Sequence, residues 1–441
     1  MSLNPEFQRN LLLEWSLHRM TVIGGTIAAL FMLAGVFGTN NIVANIALFV
    51  FLLTTVLWGA HRAGDAILDE LRERTWDSQK MSAIDPWVMT WGKLFGATVM
   101  PWFAGSISLI VYFIEREGPT PIERLQMILF CIVGAILVHS LSLIGALVGT
   151  HLDKFGKSTL STWASVGALA LLAIYFANYL RSDDIVMWYG ASYDRFDFLT
   201  VSAISLCAWM IFGAYRLMCT ELAVTTLPLG WVAFLVYLIV YFSGVYLSPS
   251  WPMLRTLSLV GAISLMICGG SSYVAAFALY RDPLTFRRLS TYARKRNWRR
   301  FFEEVPVWMV SMSVAFVAVL VCIGLHFGPG HSEIFLENLG FSALVIWLLP
   351  LRDILILYFF TYGFSKRRVE TSTIICLAML YWLLPSIIES IGLVKTSWLL
   401  RPPMEDRPLL SATIICAQVL VVAIFAARRY RQRIAPTSSA S

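Results

Sequence analysis

Residues 125–149 read LQMILFCIVGAILVHSLSLIGALVG, a run with no Asp, Glu, Lys or Arg. Coiled as a helix at about 1.5 Å per residue, it is roughly 37 Å long, enough to cross a hydrocarbon core of about 30 Å. It lacks the strict alternation of a barrel wall. Eleven more stretches of this kind lie along the chain, at about 20–38, 41–60, 93–114, 160–181, 197–218, 226–247, 256–280, 305–327, 339–363, 371–392 and 409–429. Over all 441 residues, 58% are hydrophobic and only 14% charged, with a mean hydropathy of +0.70. A soluble domain carries about 25% charged residues. The expected fold is therefore all-α: a polytopic integral membrane protein of about 12 transmembrane helices. The segment ahead of the first run is long and carries Glu6, Arg9, Glu14 and Arg19, unlike a cleavable leader.

The basic excess, 34 Lys+Arg against 27 Asp+Glu, is accounted for by topology. With the N-terminus inside, 25 basic residues fall on cytosolic connections, 8 outside, and Arg352 within a span. Both termini are thus expected in the cytosol, and no excess remains that would call for nucleic acid. The connection 281–304 holds Arg287, Arg288, Arg294, Lys295, Arg296, Arg299 and Arg300, a pattern suited to anionic lipid headgroups. The seven cysteines lie in or beside apolar spans without a CxxC pair and read as small hydrophobes. Six scattered histidines offer no metal-ligand spacing. Lys154-Phe155-Gly156-Lys157-Ser158 resembles the end of a phosphate loop, but His151 stands where glycine is needed and no strand precedes it. No catalytic site, metal or bound cofactor is expected on this chain.

Spans six apart are offset by 211–214 residues, and long cytosolic connections recur at 61–92 and 281–304. An even number of spans per repeat gives two parallel six-span halves, the architecture of a rocking transporter. The expected divisions are an interfacial helix at 1–19, a first half at 20–219, a second at 220–433, and a disordered tail at 434–441. The first segment has Asn4 as N-cap, Pro5 at the first helical position, and Phe7, Leu11 and Trp15 every fourth residue, as in a helix lying along a membrane surface. In the first connection, the charged stretch Asp69-Glu70-Leu71-Arg72-Glu73-Arg74 leads to a restart at Asp85-Pro86-Trp87, with Trp91 one turn on.

That connection resembles the coupling helix of the permease subunits of ABC-2 type ABC transporters, whose pattern is close to E-R-E-x-G-T-L-E-x-L-L-x-T-P-L-S-P-W-x-x-x-x-G-K. Arg74-Thr75-Trp76-Asp77 stands at the G-T-L-E, Ser82-Ala83-Ile84-Asp85-Pro86-Trp87 at the T-P-L-S-P-W, and Gly92-Lys93 at the closing G-K. Arg74 replaces the glycine, Ser78-Gln79-Lys80 replaces a leucine run, and Ala83 and Asp85 replace proline and serine. The likeness covers residues 1–100. The second connection is basic and aromatic and lacks the motif, and no separate elbow precedes the seventh span.

The resemblance implies a permease that moves, in the exporting direction, a substrate the sequence leaves open. Separate cytosolic ATP-binding subunits would supply the energy, with ATP and Mg on those partners. Homo- or hetero-oligomeric permeases are compatible with it, as is a prokaryotic cytoplasmic membrane. The docking contacts it implies are Glu70, Arg72, Glu73, Arg74, Asp77, Lys80 and Asp85, on a rigid lever that tilts the third span. Within the membrane, Arg352 and Asp353 follow Pro350 and are costly there. They read equally as a lined substrate path or a structural ion network. Neighbours on a helix point about 100° apart, so each is expected to need a partner on another helix. His139, with Ser140 and Ser142, reads as a core polar cluster or a further part of that path. Two other readings stay open: an ion-gradient-driven secondary transporter using Arg352 and Asp353, and a non-transporting membrane scaffold.

Overall fold

The computed structural model describes residues 4–37, 41–82, 84–151, 185–279, 281–327, 339–363, 369–400 and 408–434. The expected fifth span (160–181), the phosphate-loop-like stretch and nearly all of the C-terminal tail lie outside them. The chain forms two compact units, Met1–Val186 with Ser192–Thr225, and Met187–Ala191 with Thr226–Ser441.

The first unit begins with α1 (Pro5–Glu14), α2 (Leu17–Phe37) and α3 (Ile42–Arg72). Then come α4 (Trp76–Lys80), α5 (Pro86–Gly96), α6 (Val99–Glu115), α7 (Pro121–His151) and α8 (Arg195–Glu221). The second unit holds α9 (Leu229–Tyr246), α10 (Met253–Ala278), α11 (Thr285–Arg294), α12 (Trp298–Glu304) and α13 (Val307–His326). It ends with α14 (Leu339–Thr361), α15 (Val369–Ser390), the single turn α16 (Val394–Ser397) and α17 (Pro408–Ile434). A short hairpin of β1 (Ile185–Trp188) and β2 (Ala191–Asp194) is the β structure among the described residues.

Ten of these helices are long and apolar enough to cross a membrane, and α5 with α6 forms an eleventh, bent pair. The protein is an all-α, multi-pass integral membrane protein. Val36, Leu52, Ile110 and Val321 are exposed on these helices and suit contact with acyl chains. Within the first unit, α4 lays Trp76 into a core of Ile67, Met89, Leu94, Leu143, Leu147 and Met218. In the second, Leu235, Leu265, Cys268, Val319 and Cys322 form one core, and Trp308, Met312, Leu357 and Tyr358 another.

Three local features differ from the sequence reading. First, the helix of the second span runs without a break into the charged connection: α3 continues to Arg72, with π geometry over Leu52–Trp58. His61, Arg62 and Asp65 end the apolar run but not the helix, because helical hydrogen bonding does not require apolar side chains. Second, the third span is bent by 53° between α5 and α6. Pro101 has no N–H to give the carbonyl of Ala97 and its ring crowds that carbonyl, which breaks the helix there. Thr98 turns its hydroxyl back to the Leu94 carbonyl at 2.8 Å. The expectation of a rigid lever continuous with one straight third span is thus corrected: the helix that starts after Asp85 bends after Gly96. Third, α1 packs through its polar side: Glu6 and Asn10 are buried while Leu12, Leu13 and Trp15 are exposed. Phe7 and Leu11 are half-buried.

Close packing in the first unit depends on small residues, as expected where lipid provides no hydrophobic drive between helices. A Cβ on Gly105 would stand 2.0 Å from Thr55 Oγ1 and 3.1 Å from the Phe51 ring. Gly105→Val is expected to lower stability by about 1–3 kcal/mol through overpacking. Gly134→Ala, where an added Cβ meets nothing within 4 Å, should leave it unchanged; thermal unfolding of the purified protein measures both.

Candidate functional site

The first connection folds around one buried amine. Lys93 on α5 is fully buried, its Nζ 2.6 Å from Glu70 Oε2, 3.1 Å from Glu6 Oε1 and 3.1 Å from Gln79 Oε1. Glu70 also accepts from Arg9 at 2.8 Å and from Gln79 Nε2 at 2.6 Å. Asn10 donates to Glu6 Oε1 at 3.1 Å. Two carboxylates thus meet one lysine and one arginine, so the group is neutral overall and its buried charges are hydrogen-bonded. Geometry permits this because Gly92 and Gly96 face α1: a Cβ on Gly92 would lie 2.6 Å from Glu6 Cβ, and one on Gly96 2.8 Å from Asn10 Cβ. Asn4 caps α1, accepting from the amides of Glu6 and Phe7, and donates to the Val88 carbonyl at 2.7 Å.

Glu70 is therefore buried inside the chain, which corrects the expectation that it stands among exposed contacts; the buried ammonium of Lys93 draws it in. Lys80 is also engaged, 2.9 Å from Glu221, which accepts from Thr150 at 2.6 Å. Arg72 is exposed and bonds Asp69 at 2.9 Å. Asp85 is exposed and caps α5 through the amide of Trp87 at 2.8 Å. Glu73, Arg74 and Asp77 are exposed and make no ion pair with the other described residues.

Arg74 has φ +59°. The amide of Thr75 bonds the Glu70 carbonyl and that of Arg74 the Leu71 carbonyl, the double closure that ends many helices on a left-handed residue. Glycine fits such a position best, which is why a glycine suits the resembling pattern there. The second connection repeats this plan in its own unit. Arg296 has φ +52°, and the amides of Asn297 and Arg296 bond the carbonyls of Tyr292 and Ala293. A short helix opening on tryptophan follows in both, α4 at Trp76 and α12 at Trp298, and then a proline, Pro86 or Pro306, before the apolar helix. The charges differ. Arg288 pairs with Asp282 and Glu304, each at 2.6 Å, and Tyr292 donates to Glu304 at 2.9 Å. That bond holds the Tyr292 phenol above its ordinary value. Arg287, Arg294, Lys295, Arg296 and Arg300 are exposed, with Trp298 and Phe302 exposed beside them.

In the second unit, Arg352 and Asp353 are each 1% exposed and pair directly: Nε lies 2.9 Å and Nη2 2.8 Å from Asp353 Oδ1. The expectation that sequence neighbours could not pair is thus corrected; the arginine's long stem curls back across the 100° between them. Partners on other helices are also present. Tyr273 of α10 and Tyr381 of α15 donate to Asp353 Oδ2 at 2.6 and 2.7 Å. Arg352 Nη1 donates to Gln418 of α17 at 2.5 Å, and its guanidinium stacks over the Tyr381 ring. A cavity of about 650 Å³ adjoins this group, lined by Arg352 and Gln418 among apolar side chains.

His139 belongs to the first unit and does not line that cavity. Its Nε2 donates to the Thr55 carbonyl at 2.7 Å, in the π stretch of α3, and Gly59 leaves room for the ring. Ser142 donates to the Ala60 carbonyl at 2.6 Å. His139 therefore has a complete structural role in joining α3 and α7.

Lys93, Glu6, Tyr273, Tyr381 and Gln418 were not anticipated as site residues. One signal was available, a lone lysine just inside an apolar run. Lys93→Met should cost about 3–5 kcal/mol, because it strands Glu6 and Glu70. Glu6→Gln/Glu70→Gln/Lys93→Met should recover most of that loss in the same thermal unfolding assay.

The chain matches no protein-family model, no curated protein and no solved structure.

Proposed function

We propose that the protein is the membrane-spanning permease of an ABC-2 type transporter. It is built as two related halves and exports its substrate with energy from separate cytosolic ATP-binding subunits. The observation that carries this reading is the construction of the first connection. Its inner residues, Trp76, Glu70 and Lys93, fix it to the first unit, while Arg72, Glu73, Arg74, Asp77 and Asp85 remain on its outer side. A linker that only joined two spans would need no such anchoring. The shared plan of the two connections, each with a left-handed arginine, a tryptophan-led short helix and a proline restart, supports a duplicated architecture.

Force from a docked subunit would enter at these charges. The neutral Lys93 cluster ties the connection to α1 and α5, so the three segments would move as one piece. The bend at Ala97–Thr98 would convert their displacement into rotation against α6. The exposed bases of the second connection would rest on anionic headgroups, where each is worth about 1 kcal/mol.

The chain purified from its native membrane is expected to carry an ATP-hydrolysing subunit in fixed stoichiometry. Glu73→Lys/Arg74→Glu/Asp77→Lys should weaken that association at least about tenfold, since like charges across an interface cost several kcal/mol, while thermal unfolding stays at the wild-type temperature. Wild-type protein that transports with no such subunit bound would refute the proposal.

A further inference from the structure

The cavity beside Arg352 has an uneven chemistry that specifies what can enter it. Its walls come from α14, α15 and α17, with Ile356, Phe359, Leu380, Ile414, Val421 and Phe425 presenting hydrocarbon. About 650 Å³ lies within the range of roughly 300–1,000 Å³ typical of small-molecule sites. The polar group at its edge is nearly saturated. Asp353 Oδ1 is taken by Arg352, and Oδ2 by Tyr273 and Tyr381. Gln418 accepts from Arg352 and gives its amide to the Leu399 carbonyl. Donor capacity remains on two groups: Gln418 has a second amide N–H, and Arg352 Nη2, in ion-pair contact with Asp353 Oδ1, has no acceptor in hydrogen-bonding geometry.

A buried N–H without an acceptor favours a ligand atom that accepts. The charge count narrows this further. Arg352 and Asp353 cancel, so an anionic head would bring an uncompensated charge into an apolar site and a cationic head would meet the guanidinium. A neutral oxygen, as in an alcohol, ester or ether, satisfies the donor at no such cost. We infer that this cavity binds a neutral amphiphile drawn from the bilayer, with a long hydrocarbon tail against α17 and an uncharged acceptor oxygen at Arg352. This deepens the permease reading by naming a substrate class, and rests on that reading only for the step from binding to transport.

Photolabelling tests the binding without any motor subunit. The full chain in nanodiscs is exposed to hexadecanol carrying a tail diazirine, and adducts are mapped by peptide sequencing. Labelling is expected to concentrate at Ile414, Ala417 and Val421. Unlabelled hexadecanol should displace it at least tenfold better than hexadecyl phosphate or hexadecyltrimethylammonium. Ala417→Phe, which adds bulk at an exposed position on the cavity wall, should abolish the focused labelling without altering thermal unfolding. Arg352→Met/Asp353→Leu removes both charges together; it should retain labelling but lose the preference for an alcohol over a plain alkane. Adducts spread evenly over the lipid-facing helices, unchanged labelling of Ala417→Phe, or equal competition by the charged amphiphiles would each overturn the inference. Such a result would leave the permease proposal standing, since that is read from the bound ATP-hydrolysing subunit.

Discussion

A lysine ammonium with no access to solvent is the constraint on which the first unit's entry region depends. Leaving an ion unpaired in such a place costs several kcal/mol, so Lys93 requires carboxylates wherever the chain can supply them. Glu6 comes from the first helix and Glu70 from the end of the long α3. Bringing them together fixes three segments far apart in sequence. Other features follow from it: α1 turns its polar side inward, Gly92 and Gly96 clear space for it, and Trp76 closes the cluster with its ring 5.3 Å from the ammonium. The amphipathic first helix thus packs through its polar side, drawn in by the buried lysine.

The second unit solves a related problem differently. Arg352 and Asp353 are mutually neutralised, and tyrosines and a glutamine from three other stretches add further bonds. Such a network holds α10, α14, α15 and α17 in register. It also leaves an otherwise apolar cavity with a defined polar edge. Structural pairing and the lining of a site are therefore compatible roles for the same two residues.

Local signals in the sequence were legible because their causes are local. The spans show in their apolar runs, the Asn4 and Asp85 caps in their residue types, and the restart at Pro86 in proline's fixed φ. Longer-range outcomes were not legible. Nothing near Lys93 announces that Glu6, 87 positions away, is its partner. The apolar run stops near residue 60 although the helix does not, since hydropathy reports the solvent around a helix and not its hydrogen bonds. The proline at 101 was visible, but its effect four residues earlier depends on which backbone carbonyl it deprives. The likeness between the two connections is a matter of backbone conformation. Besides the shared tryptophan and proline, it is carried by two arginines in a conformation better suited to glycine, a part that comparison of side chains does not show.

The interruption at Ala97–Thr98 bears on how displacement could travel through this molecule. A straight rod passes an axial thrust from end to end, as a piston does. A rod with a built-in elbow works as a crank: motion below the elbow emerges above it as a swing, and the angle sets the ratio between them. Because proline at position 101 removes the hydrogen bond that would straighten the joint, the bend itself is written into the covalent chain.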